Sequence, residues 1–130
     1  MQITKTTIVE ILERVKACVH KGEFRISQNP NRIENITFID EYRLTTEKQK
    51  SMITALNIYD FSKIDKDRNN DCEILYFFGK LYELNHKDRG IEDVEAYIKF
   101  TIKKRKSGEL ILFISFHKAK WPIDYYFKNS

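Results

Sequence analysis

Ile8, Leu12, Val15 and Val19 recur at helical spacing, and Ile11 and Cys18 widen the stripe, so an amphipathic helix is predicted over 7–21. Thr7 and Glu10 are spaced as a capping box at its start, since hydroxyl and carboxylate each accept an orphan amide proton. Gly22 stands where a left-handed terminal residue is wanted. Phe24 and Ile26 alternate with polar neighbours, which predicts a short strand, and Asn29-Pro30-Asn31 is a turn by its own chemistry. Between 32 and 42, the apolar positions Ile33, Ile36, Phe38 and Ile39 fit neither period. A second helix is predicted from Thr46, with Gln49 as its capping-box partner. It presents Met52, Ile53 and Leu56 on one side and stops near Asn57.

The polar run 65–71 reads as a solvated loop; a calcium loop would need a glycine and a terminal bidentate Glu that are missing here. From Glu73 the pattern turns to strand. Residues 74–78 are aromatic and apolar, Gly79 is placed to mark a bulge, and the strand reaches Leu84 before a polar connection over 85–90. Val94, Ala96, Ile98, Phe100 and Ile102 then alternate with a more polar set, giving one apolar face. Residues 106–108 turn the chain, and 110–116 are apolar on both faces except at Ser115, as in a well-covered strand. Trp121-Pro122 ends regular structure ahead of the aromatic tail Tyr125, Tyr126 and Phe127. The expected fold class is α+β: two N-terminal helices packed on a small antiparallel sheet, a three-stranded meander.

Composition narrows the class. A chain of 130 residues with 42% hydrophobic and 32% charged residues is expected to fold as one domain, 1–130. Lys and Arg number 23 against 19 Asp and Glu, and the resulting +4 is compatible with a polyanionic partner. Cys18 and Cys72 lie far apart and outside any CxxC pair, which favours two buried thiols in a reducing cytosol over a disulfide. Glu10, Glu13, Arg14 and Lys16 break the only candidate signal segment, and nothing nears the ~18 apolar residues of a membrane span. A cytoplasmic protein without membrane contact is expected.

Most enzyme templates fail: the chain has no glycine-rich phosphate loop, no GxSxG, no HExxH and too few Cys and His for a zinc cluster. The informative feature is the polar face of the last two strands. A hairpin with its loop at 107–109 would set Lys103 opposite Phe113, Thr101 opposite Ser115 and Lys99 opposite His117. Lys99 would then lower the pKa of the imidazole, and Tyr97 extends the same face. His, Lys and Tyr together suit acid–base work on a phosphate ester, whereas the bland reading is the wet face of a one-sided sheet. His20 reads as a helix-end cation and His86 as a solvated loop residue. Lys103, Lys104, Arg105 and Lys106 form a basic hairpin tip able to grip phosphates, or simply to protect a strand end. Tyr76, Phe77 and Phe78 read as core before they read as base platforms, and Trp121 reads as a packing lid before a base platform.

Three stretches, 56–63 (LNIYDFSK), 94–100 (VEAYIKF) and 112–121 (LFISFHKAKW), together resemble the motility quorum-sensing regulator toxins in order and spacing. That resemblance covers about 45–120 and implies a RelE-like fold and the toxin of a bacterial toxin–antitoxin pair. It implies a metal-independent endoribonuclease that cuts messenger RNA, uses no cofactor and is silenced by a cognate antitoxin. Carried over, Lys63 matches a basic active-site position, Tyr97 the family tyrosine with Lys99 two residues on, and His117 a basic residue ending the last strand. The family's polar residue on the first strand has no clear equivalent among Tyr76, Phe77 and Phe78, and the tail from Trp121 is an extension. The expected catalytic set is therefore His117, Tyr97, Lys63 and Lys99, with the 103–106 run on RNA. The antitoxin would lie as an acidic segment over this face or dock elsewhere. The rival expectations are a non-catalytic RNA- or ribosome-binding module and a structural interaction domain.

Overall fold

The computed structural model describes residues 2–67 and 70–128, excluding the side chains of Asn70, Asp71 and Cys72. The first helix, α1 (Lys5–His20), starts ahead of the predicted boundary because Thr4 and not Thr7 is its cap: the Thr4 hydroxyl accepts the Thr7 amide at 3.2 Å. This choice puts Ile3 just before the cap and Ile8 in the second turn, the two positions of a hydrophobic staple, and both join the core. Gly22 ends the helix at φ +77, as its position implied.

Strand β1 (Phe24–Ile26) and a short 3₁₀ turn (Pro30–Arg32) lead into α2 (Ile33–Glu41). The ambiguous stretch is thus helical, and the described residues hold three α-helices rather than two. Its inward positions are Asn35 and Phe38 while Ile33 and Ile36 face water, so no apolar period could be read from it. Helix α3 (Thr46–Thr54) is capped by Thr45, whose hydroxyl accepts the Lys48 amide; Gln49 donates back to the Leu44 carbonyl at 2.8 Å instead of closing a capping box. Met52, Ile53 and Leu56 are buried as expected.

The sheet is mixed and five-stranded, in the order β1-β5-β4-β3-β2. Strands β2 (Phe61–Asp67), β3 (Asn70–His86), β4 (Gly90–Arg105) and β5 (Gly108–Lys118) form an antiparallel meander, and β1 adds in parallel along β5. Two boundaries correct the sequence reading. Asp65, Lys66 and Asp67 belong to edge strand β2, where charges guard against stray pairing, while Arg68 and Asn69 fall outside the described residues. The expected connection over 85–90 is shortened because β3 runs on to His86, whose ring is buried at 4% exposure. There its Nδ1 accepts the amides of Asp88 (3.0 Å) and Arg89 (3.3 Å), and the ring lies edge-on to Tyr42. The solvated reading of His86 is therefore wrong: polar sequence neighbours hid an inward-facing strand position.

Alternation decides the two faces of the sheet. Phe78, Ile98, Phe100, Phe113 and Phe116 are fully buried against Ile8, Val15, Phe38 and Ile53 of the helices. The opposite face carries Phe77, Gly79, Tyr97, Lys99 and His117, with Gly79 paired to Tyr97 in unbroken register rather than bulged. Gly79 is required for another reason. A Cβ there would overlap the Ile123 side chain and come within 2.8 Å of the Tyr125 hydroxyl, so the glycine is the seat of the C-terminal tail. Among the described residues no helix is long and apolar enough to cross a membrane.

Candidate functional site

The β4–β5 hairpin differs from its predicted register in two ways that decide the site. Its turn is tighter, with Arg105 paired to Gly108, and a bulge lies between the pairs Lys99–Ser115 and Phe100–Phe113, leaving Ile114 as the extra residue. The expected Lys99–His117 opposition is consequently not formed. His117 stands opposite Tyr97, Lys99 opposite Ser115, Thr101 opposite Leu112 and Lys103 opposite Leu110. At Tyr97 and Lys99 the slip is an even number of residues, so Tyr97, Lys99 and His117 keep the common face.

Asn35 holds the bulge. It is wholly buried, its Oδ1 accepts the Phe116 amide at 2.8 Å, and its Nδ2 donates to the carbonyls of Ile114 (3.0 Å) and Ser27 (2.9 Å). A buried amide with both ends satisfied is what makes this polar intrusion tolerable. It ties α2 and the chain after β1 to the kink that aims His117.

Around Phe77 the structure brings together the expected Lys63, Tyr97, Lys99 and His117. Lys63 sits opposite Phe77 in the β2–β3 ladder, with Nζ 4.6 Å from the Phe77 ring centroid; Lys99 Nζ is 5.6 Å from the same ring. One aromatic ring between two ammonium groups offers each a favourable quadrupole and eases their proximity. The Tyr97 ring is 6.3 Å from Phe77 and 5.4 Å from His117. Phe77 is thus buried on the site face, while Tyr76 and Phe78 belong to the core.

A residue the sequence reading passed over joins them. Arg32, at the end of the 3₁₀ turn, lies close enough to act on both Tyr97 and Lys99. Its signal was a cation in an unreadable segment next to a turn. Burial, then Arg32 and Lys63, push the Lys99 ammonium below its ordinary pKa, with Asp67 opposing. Burial raises the Tyr97 phenol, against which Arg32 acts. Among the described residues, no salt bridge engages Arg32, Lys63 or Lys99, and Asp67 offsets Lys99 only in part, so the site keeps net positive charge. His117 Nδ1 is 2.9 Å from the Lys118 carbonyl. A carbonyl only accepts, so this contact selects Nδ1–H and leaves the Nε2 lone pair as a base.

The tail closes one side. After β5 the Ala119 amide donates to the Glu95 carbonyl (2.8 Å), Ser62 Oγ to the Asp124 carbonyl (2.8 Å), the Tyr125 hydroxyl to Glu95 Oε2 (2.7 Å), and the Tyr126 amide to the Phe61 carbonyl (3.0 Å). Phe127 then enters the helix-side core. The result is a cleft of about 410 Å³ lined by Lys63, Phe77, Tyr97, His117, Lys120 and Trp121 among others. Lys120 is paired with Glu34. Trp121 is 81% exposed, which overturns its reading as a packing lid.

Other expected positions stand apart. Lys103 pairs with Glu73, Arg105 with Glu23 (2.6 Å), and Lys104 faces Glu109 across the hairpin, with Lys106 in the turn. Lys103 is six residues from Tyr97 along β4, roughly 20 Å away at strand rise. His20 ends α1, as a helix-end cation should. Cys18 is a free, half-buried thiol whose Sγ donates to the Glu109 carbonyl; the Cys72 side chain lies outside the described residues. Compared with known proteins, the chain matches no family model and no curated protein.

Proposed function

We propose that this protein is the toxin of a toxin–antitoxin pair, with a RelE-like fold, acting in the cytoplasm as a metal-independent endoribonuclease on messenger RNA. The observation that carries the reading is a cleft lined by Lys63 and the Tyr97–His117 pair, with Lys99 on the other side of the Phe77 ring from Lys63 and Arg32 acting on Tyr97 and Lys99. The residues implied by the family resemblance come from three different strands and still gather there.

In this reading the nucleophile belongs to the substrate. The RNA 2′-hydroxyl gives its proton to His117 Nε2 and attacks the adjacent phosphorus; the 2′-O–P bond forms and the bond from phosphorus to the 5′-oxygen breaks. The products are a 2′,3′-cyclic phosphate and a 5′-hydroxyl. Arg32 and Lys63 stabilise the charge that builds on the non-bridging oxygens. The leaving 5′-oxygen takes its proton from Lys99, whose ammonium is pushed toward release by burial and by its cationic neighbours. Tyr97, held protonated by burial, donates a hydrogen bond and orients the phosphate. No protein nucleophile is needed, and protons and charge stabilisation suffice. The partners this reading brings are messenger RNA, met free or on the ribosome, and a cognate antitoxin that silences the site.

The test is cleavage of a structured messenger RNA in excess EDTA. The expected outcome is undiminished cleavage leaving cyclic phosphate ends, with His117→Ala slower by about 10²–10⁴-fold. Cleavage that vanishes with chelator and returns with magnesium overturns the mechanism. RNA binding without any cleavage in the wild type favours the binding-module reading instead.

A further inference from the structure

Trp121 has no structural role that accounts for its placement. A large apolar side chain left 81% exposed is unusual, and this one sits on the wall of the cationic cleft. It is not on a loose end. The backbone before it is tied to Glu95 through Ala119, the backbone after it to Ser62 through Asp124, and Ile123 rests on Gly79. Pro122 fixes the next φ and biases Trp121 itself toward an extended backbone. Lys120, its other neighbour, is held by Glu34. The strap therefore presents the indole beside Lys63 and His117 at low entropic cost.

We infer that Trp121 is a base-stacking platform, receiving a nucleobase next to the phosphate bound by Lys63, and that its two-ring face favours purines. This rests on the ribonuclease reading and deepens it by naming a recognition element. Phosphate cations beside an exposed aromatic face are the pairing by which single strands are gripped: charge holds the backbone and the π-face holds the base. Phe77 cannot serve, because it is buried between Lys63 and Lys99. Tyr97 and His117, the other rings lining the cleft, pack on each other at 5.4 Å and serve the phosphate in this reading, which leaves the exposed indole as the open aromatic face. Stacking strength, and no hydrogen-bond code, then sets a modest preference for A or G at this position.

The chain has a single tryptophan, so its fluorescence reports on this residue alone. The experiment titrates the intact protein with 2′-O-methyl oligoadenylate and oligouridylate, which lack the attacking hydroxyl, and with inorganic polyphosphate as a base-free polyanion. Oligonucleotide anisotropy is read alongside. The expected result is quenching by both oligonucleotides, stronger affinity for oligoadenylate, and no quenching by polyphosphate although it binds. Trp121→Ala should weaken oligoadenylate binding by about 5- to 150-fold, with Trp121→Phe in between. Oligonucleotide binding that Lys63→Ala abolishes, yet that neither quenches Trp121 nor responds to Trp121→Ala, overturns the inference and leaves the ribonuclease reading standing. Failure to bind any oligonucleotide overturns both.

Discussion

Lys99 carries a conflict between stability and function in one side chain. Its ammonium is half-buried beside Arg32 and Lys63, and both burial and repulsion disfavour the charged form, so its pKa lies below the usual 10.5. The sign follows from linkage. Folding prefers the neutral amine, so the cost is fully present below the folded pKa and disappears as pH climbs past the unfolded value. Lys99→Met keeps the length and the apolar contact with Phe77 and removes the charge. Its melting temperature should therefore rise by roughly 2–5 °C at pH 7, with the difference shrinking as pH approaches 10.5. Cleavage should fall at the same time, since the proposed acid is gone. A variant that melts lower than wild type at pH 7 would show that Lys99 is held by attraction and not by tolerated repulsion. Calorimetric scans at pH 7 and pH 10 read the sign directly.

The junction of α2 with β5 places His117 through one amide. Asn35→Asp preserves the shape of the side chain and reverses half of its hydrogen bonding, since a carboxylate can accept from the Phe116 amide but cannot donate to the carbonyls of Ile114 and Ser27. Three oxygens would then crowd a fully buried space. The expected loss is about 2–4 kcal/mol, larger than for an exposed Asn, with faster exchange of the Phe116 amide if the bulge opens. Urea unfolding and hydrogen exchange measure the two; an Asn35→Asp protein as stable as wild type would mean that the bulge stands without this tie. The same junction explains what the sequence made legible. Helix α1, the inward side of α3 and the alternation of β4 are written in strong periodicities, and their buried residues follow. Helix α2 turns an Asn and a Phe inward, a pattern indistinguishable from a loop. The face shared by Tyr97, Lys99 and His117 was readable because parity survives an even slip. Their partners were not, because the turn is tighter than the hairpin sequence announced and the bulge is tied by Asn35, far away in sequence. Arg32 was invisible for a related reason: only the folded turn carries it to Lys99.

Across the whole molecule the +4 charge is unevenly neutralised, and this determines how RNA should be held. The basic hairpin tip is the most obvious cationic run in the sequence, yet Lys103 and Arg105 within it are matched to Glu73 and Glu23. Arg32, Lys63 and Lys99 lack such partners among the described residues. Counterions condensed on RNA are released by cations that gain a phosphate, and a cation already beside a carboxylate gains less. Each phosphate contact on a single strand contributes a salt slope of about −0.7, so three contacts predict log K falling with log salt at a slope near −2. Arg32→Ala should lower the slope to about −1.4 and weaken binding of every sequence alike, because a phosphate contact carries no base information. A Lys103→Ala, Arg105→Ala double variant, which removes two cations already matched by carboxylates, should leave the slope unchanged. Anisotropy titrations of an uncleavable single strand from 50 to 300 mM salt, all at one pH, give all three slopes. A wild-type slope of about −4 or steeper, reduced by the double variant, would put the hairpin tip on the RNA path and extend the bound strand from the cleft along β4.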